Sequence, residues 1–91
     1  MNIYIEYCVK WNYGPEFDRV SKIIRRIVPY SNIIGNEKPP RSGAFEISIN
    51  NNLIYSKFTT SSFPTESELK KILNNSNITI IYLSKILIKK E

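Results

Sequence analysis

Apolar and polar residues alternate from the start of the chain. Ile3, Ile5 and Tyr7 fall on one side of an extended backbone, and Tyr4, Glu6 and Cys8 on the other, so MNIYIEYC predicts a strand. Asn12, Gly14 and Pro15 then supply turn chemistry. In PEFDRVSKIIRRIVP the period changes: Phe17, Val20, Ile24 and Ile27 recur at spacings of three and four, with Arg19, Lys22, Arg25 and Arg26 on the other side. That is the pattern of an amphipathic helix. Pro15 suits its first turn, Glu16 and Asp18 favour its positive end, and Val28-Pro29 stops it. SNIIGN at 31–36 predicts a short strand, and EKPPRSG a loop in which Pro39-Pro40 adds rigidity. AFEISIN at 44–50 alternates, with Phe45, Ile47 and Ile49 on one face, and LIYSKF at 53–58 predicts its hairpin partner. Asn51-Asn52 is the expected tight turn between them. TTSSFP is read as a polar loop. Thr65 and Glu68 have the spacing of a capping box before a helix whose apolar stripe is Leu69, Ile72 and Leu73. NNSN at 74–77 should break that helix, and ITIIYLSKILIKKE is read as further helix in preference to an edge strand.

The predicted order is β-α-β-β-β-α. A strand–helix–strand unit requires a parallel pair with a right-handed crossover, and the hairpin adds two antiparallel strands. The fold class is therefore α/β: a thioredoxin-like two-layer sandwich with helices packed on a four-stranded mixed sheet. Residues 1–91 are expected to form a single domain, with 76–91 a C-terminal extension whose structure the pattern does not decide. Ligands of open α/β sheets gather beyond the carboxyl ends of the parallel strands, where Cys8 is expected. Tyr4, Glu6 and Tyr55 are read as residues of the sheet surface.

Composition narrows the chemistry. The chain has one cysteine and no histidine, which excludes an internal disulfide, a cysteine-rich metal site and histidine-dependent nucleophilic catalysis. No paired-carboxylate site or phosphate loop is evident, so no bound cofactor or metal is expected. The net charge is +5 but spread along the sequence, which fits solubility better than nucleic-acid binding. ITIIYLSKILI is too short to span a bilayer and contains Lys85, and Glu6 and Lys10 interrupt any leader-like run. A reducing, cytoplasmic setting without membrane insertion is the expectation.

Four stretches, taken in order and spacing, resemble the selenoprotein W-like (Rdx) family of small thioredoxin-fold proteins. They are the strand ending in Tyr7-Cys8 with the site that follows; Tyr13, Pro15 and Phe17 opening the first helix; Ser42-Gly43-Ala44-Phe45-Glu46-Ile47; and Leu53-Ile54-Tyr55-Ser56-Lys57 with the Phe63-Pro64 loop after it. The likeness spans residues 3–73. It implies thiol redox chemistry, with glutathione as a thiol partner and redox-sensitive proteins as binding partners. Cys8 matches the family's first cysteine. Trp11 stands where the second cysteine or selenocysteine belongs, so the chain departs from the family at that position.

Trp11 cannot resolve a mixed disulfide, which rules out dithiol turnover within this chain. Two readings of Cys8 stay open. An accessible sulfur would carry one-thiol, glutathione-linked redox chemistry or redox-sensitive protein binding. A sulfur sealed in the core would be a small apolar residue, leaving a non-enzymatic interaction module that keeps the fold. Trp11 likewise either packs over the sheet edge or anchors a partner, with Tyr13 and Phe63 bordering the same surface. A basic adaptor for an acidic surface is a third, more general reading of the charge.

Overall fold

A computed structural model describes residues 1–74. The first strand, β1, runs over Asn2–Tyr7 and leads to helix α1, Gly14–Ile27. Strand β2 (Asn32–Gly35) follows, then the hairpin of β3 (Phe45–Ile49) and β4 (Asn52–Ser56). A four-residue helix, α2 (Lys57–Thr60), and the helix α3 (Glu66–Leu73) complete the described chain. The sheet order is β2-β1-β3-β4, with β1 parallel to β2 and antiparallel to β3, and β4 antiparallel to β3. The expected mixed four-stranded sheet and its parallel β-α-β unit are therefore present, in a thioredoxin-like arrangement.

The core lies between one face of the sheet and the helices α1 and α3. Ile3, Ile5, Phe45, Ile47 and Ile49 meet Val20, Ile23, Ile24, Leu69 and Leu73 there. Apolar side chains at alternate strand positions and at helical spacing reach the same layer, and their removal from water is the main stabilising term. Pro15 lies at the start of α1 and Glu16 in its first turn. Thr65 and Glu68 form the expected capping box on α3: the Thr65 hydroxyl accepts from the Glu68 N–H at 3.1 Å, and the Glu68 carboxylate accepts from the Thr65 N–H at 3.0 Å.

Three local expectations are corrected. The hairpin turn is at Asn50-Asn51, both with positive φ (49° and 70°), one residue earlier than expected, and Asn52 opens β4. A register irregularity accompanies the shift: opposite the Ile47–Ser48 step, Ile54 of β4 has no partner, as in a β-bulge. Second, the strand does not run to Phe58. Lys57 and Phe58 belong to α2, whose N-cap Ser56 hydroxyl accepts from the Thr59 N–H at 3.2 Å. Third, Tyr55 is a core residue, 5% exposed, because it pairs with Ile47 on the helix-covered face; its hydroxyl donates to the Ser62 carbonyl at 2.7 Å. The helix expected within 78–91 lies outside the described residues.

Candidate functional site

The site is the loop that carries the chain from β1 to α1. Past Tyr7 the backbone turns over residues 8–13. The Cys8 N–H donates to the Ala44 carbonyl at 2.9 Å, which extends the β1–β3 pairing by one bond. The Tyr13 N–H donates back to the Cys8 carbonyl at 3.0 Å, and the Asn12 N–H to the Val9 carbonyl at 2.9 Å. Asn12 takes the left-handed conformation (φ 59°) that closes the turn, which Asn tolerates better than most residues. Pro15, at the start of α1, fixes the exit of the loop.

This geometry sorts the two key side chains oppositely. Cys8 is 1% exposed, whereas Trp11 is 59% exposed and its neighbour Val9 63%. The arrangement of Cys8 is that of the sealed-sulfur reading. The indole N–H of Trp11 donates to the Ser42 hydroxyl at 3.1 Å. The ring is thus steadied at its polar edge while much of its apolar surface faces solvent.

A second loop, residues 41–44, buttresses the first. The Arg41 guanidinium forms an ion pair with Glu6 at 2.8 Å, and the Arg41 backbone N–H donates to the same carboxylate at 2.7 Å. The Arg41 side-chain hydrogen bond, more than any other influence, holds the Glu6 carboxyl below its usual range. Gly43 has φ +76°, a left-handed conformation that favours glycine, and faces the Phe58 ring. Arg41 also lies over Phe58, 5.0 Å from its centroid, and Phe58 is 49% exposed. Trp11 and Phe58 therefore both abut the same short loop.

Behind Phe58, α2 is held by a buried carboxylate. Glu46, 6% exposed, accepts from the Ser56 hydroxyl at 2.5 Å and from the Lys57 N–H at 2.7 Å. A carboxylate at a helix N-terminus satisfies donors that the helix itself cannot. Arg41, Ser42, Glu46 and Phe58 were not singled out as site residues from sequence. The Ser42-to-Ile47 stretch, with its fixed glutamate, was the available signal for two of them.

Tyr13 and Phe63 meet edge to face at 4.8 Å, as a half-buried wedge. Phe63 rests in turn on the core residue Phe45 at 5.3 Å, and Lys57 Nζ stands 5.4 Å from the Tyr13 centroid and 5.5 Å from that of Phe63. This wedge joins the start of α1 to the core. The exposed apolar side chains of loop 8–13 and α2 are instead Val9, Trp11 and Phe58.

Chemically, the site offers one sheltered thiol and no second thiol for it to pair with. Among the described residues, no group of three or more His, Cys, Asp or Glu is placed to hold a metal ion, and no helix is long and apolar enough to cross a membrane.

Comparison with known proteins gives a consistent assignment of fold and family. A selenoprotein W-related protein from Vibrio cholerae superposes with a TM-score of 0.69 at 22% identity, over 81% of this chain and 92% of that one. A Bordetella parapertussis protein superposes with a TM-score of 0.66 at 16% identity, over 81% and 94%. Both show a shared fold. No curated protein matches the sequence. The model of the Rdx family matches residues 2–75, which takes in every described strand and helix, and the chain belongs to the Rdx family.

Proposed function

We propose that this protein is a protein-binding module built on the redox-associated Rdx scaffold, with loop 8–13 as its recognition element. One observation carries the reading: at the family's redox site the sulfur of Cys8 is buried and the indole of Trp11 is presented. An exposed, hydrogen-bonded tryptophan is a preorganised anchor, since little rotamer freedom remains to be lost on binding. Val9 and Phe58 extend its apolar surface. A partner with a recess for an indole is the expected ligand. Tyr13 and Phe63 serve the loop by tying the start of α1 to the core residue Phe45. A reducing, cytoplasmic setting is compatible with a lone thiol.

A second reading is favoured by the position of Cys8 at the carboxyl end of β1. There its thiolate attacks the disulfide of oxidised glutathione or of a partner protein once the loop opens, forming a mixed disulfide and expelling the other sulfur as a thiolate. A second thiol from solution then attacks that disulfide and restores the free cysteine.

Affinity capture in paired variants separates the two. The binding reading expects a partner retained by Cys8→Ala and lost by Trp11→Ala. Loss in Cys8→Ala or on adding reductant, with retention in Trp11→Ala, supports the thiol reading instead. Mass spectrometry after treatment with oxidised glutathione gives an independent check. A stable adduct on Cys8 under native conditions favours the thiol.

A further inference from the structure

Charge that is spread along the sequence is gathered by the fold around Trp11. Loop 8–13, loop 41–44 and α2 carry Lys10, Arg41 and Lys57 and contain no acidic residue. Lys10 is exposed and stands in the chain between the exposed Val9 and Trp11. Lys57 precedes the exposed Phe58, and the Arg41 guanidinium lies over the Phe58 ring. Adjacent residues of loop 41–44 touch both rings, since Ser42 accepts from the indole and Arg41 covers Phe58.

The two carboxylates nearest these segments are both engaged. Glu6 is paired with Arg41, and Glu46 is buried and held by the Ser56 hydroxyl and the Lys57 N–H. Among the described residues, neither Lys10 nor the Lys57 ammonium forms an ion pair. On the helices the cations are answered: Arg19 pairs with Glu16, and Arg26 and Lys70 pair with Glu66. At the Trp11 site, exposed apolar side chains are interleaved with cations that lack such partners.

Charge complementarity then selects the occupant. Opposite potentials steer encounter and exclude wrong partners, while the desolvated anchor supplies most of the affinity. A second copy of this chain brings the same cations to the contact, and like charge disfavours it. A nucleic acid needs a cationic track along its backbone, and here Arg41 is already spent on Glu6. A tryptophan at a membrane surface keeps its polar edge among the headgroups, whereas the Trp11 N–H is bonded to Ser42. We propose, building on the anchor reading above, that the partner of the Trp11 site is an acidic peptide segment. Its apolar side chains enclose the indole, and its Asp or Glu side chains flank them, complementary to Lys10 and Lys57.

The test is selection of random peptides on the native full chain, with Trp11→Ala as the subtracting control. Peptides that need Trp11 are expected to be enriched in Asp and Glu beside apolar residues. Trp11 is the chain's only tryptophan, so its fluorescence follows the binding of a selected peptide directly. Lys10→Glu should slow association severalfold at low salt and change dissociation little. Trp11-dependent peptides that are neutral or basic overturn the proposal and leave the anchor reading standing, as does an unchanged association rate in Lys10→Glu. Failure to recover any Trp11-dependent peptide removes both. Tighter binding of oligothymidylate or of phosphatidylserine vesicles than of the selected peptides overturns the proposal by assigning the surface to nucleic acid or lipid.

Discussion

At the scale of single residues, the account rests on Trp11 and Cys8 having exchanged prominence at one loop. Truncating an exposed side chain disturbs folding little, whereas losing an interface tryptophan often costs more than about 2 kcal/mol of binding. Trp11→Ala should therefore leave the melting temperature nearly unchanged and weaken partner binding by more than about tenfold, read by titration calorimetry with the captured partner. Glu6 gives a pH prediction. Its folded pKa is held below the ordinary glutamate range, chiefly by the Arg41 side-chain hydrogen bond. A depressed carboxyl pKa contributes stability above the unfolded value, and that stability is lost as pH falls through the folded value. Loop 41–44 should thus stay anchored at neutral pH and loosen only in acid, below about the ordinary glutamate range near pH 4.3. Because Ser42 in that loop holds the indole, Trp11 fluorescence should report an acid transition in the native protein. Glu6→Gln should remove that transition and leave the loop loosened at every pH.

At the scale of elements, two variants separate packing from capping. A β-carbon on Gly35 would meet ring carbons of Phe17 and Tyr7 at 2.8 Å, and those rings stack at 4.5 Å against β2. Overpacking of this kind typically costs about 1–3 kcal/mol, so Gly35→Ala should lower the denaturation midpoint measurably. Thr65→Ala removes one half of the capping box and should cost about 1 kcal/mol by the same measurement. The strands and long helices were legible because their periods are local: alternation in β1 and β3, and the three-and-four spacing in α1. α2 was not. Lys57-Phe58-Thr59-Thr60 follows a strand and carries strand-forming residues. It turns helical where Ser56 caps it and the Glu46 carboxylate, ten or more residues away in sequence, receives the Lys57 N–H. Tyr55 was misplaced for a related reason. The bulge at Ile47/Ser48 sets which residues of β4 face the core, and a bulge leaves no period to read.

At the scale of the molecule, the Cys8–Trp11 spacing and the position of Cys8 past β1 could be read from sequence. The burial of Cys8 could not. It depends on a loop closed onto Ala44, in the distant loop 41–44 that leads into β3, and steadied by Arg41 and Ser42. The net charge of +5 raises the question of whether binding is driven by the field of the whole protein. If Trp11 is the anchor, affinity should change only modestly between low and high salt. A contact held mainly by exposed charges would weaken steeply over the same range. The most direct test of the central claim is the rate at which Cys8 reacts with a thiol reagent in the native and the urea-unfolded chain. Burial requires local opening before reaction, and an opening free energy of about 3 kcal/mol slows the thiol roughly a hundredfold. The account predicts slowing of at least that order, with the protection falling as denaturant is added. A native rate within a few-fold of the unfolded one would show the sulfur to be presented, and would contradict it.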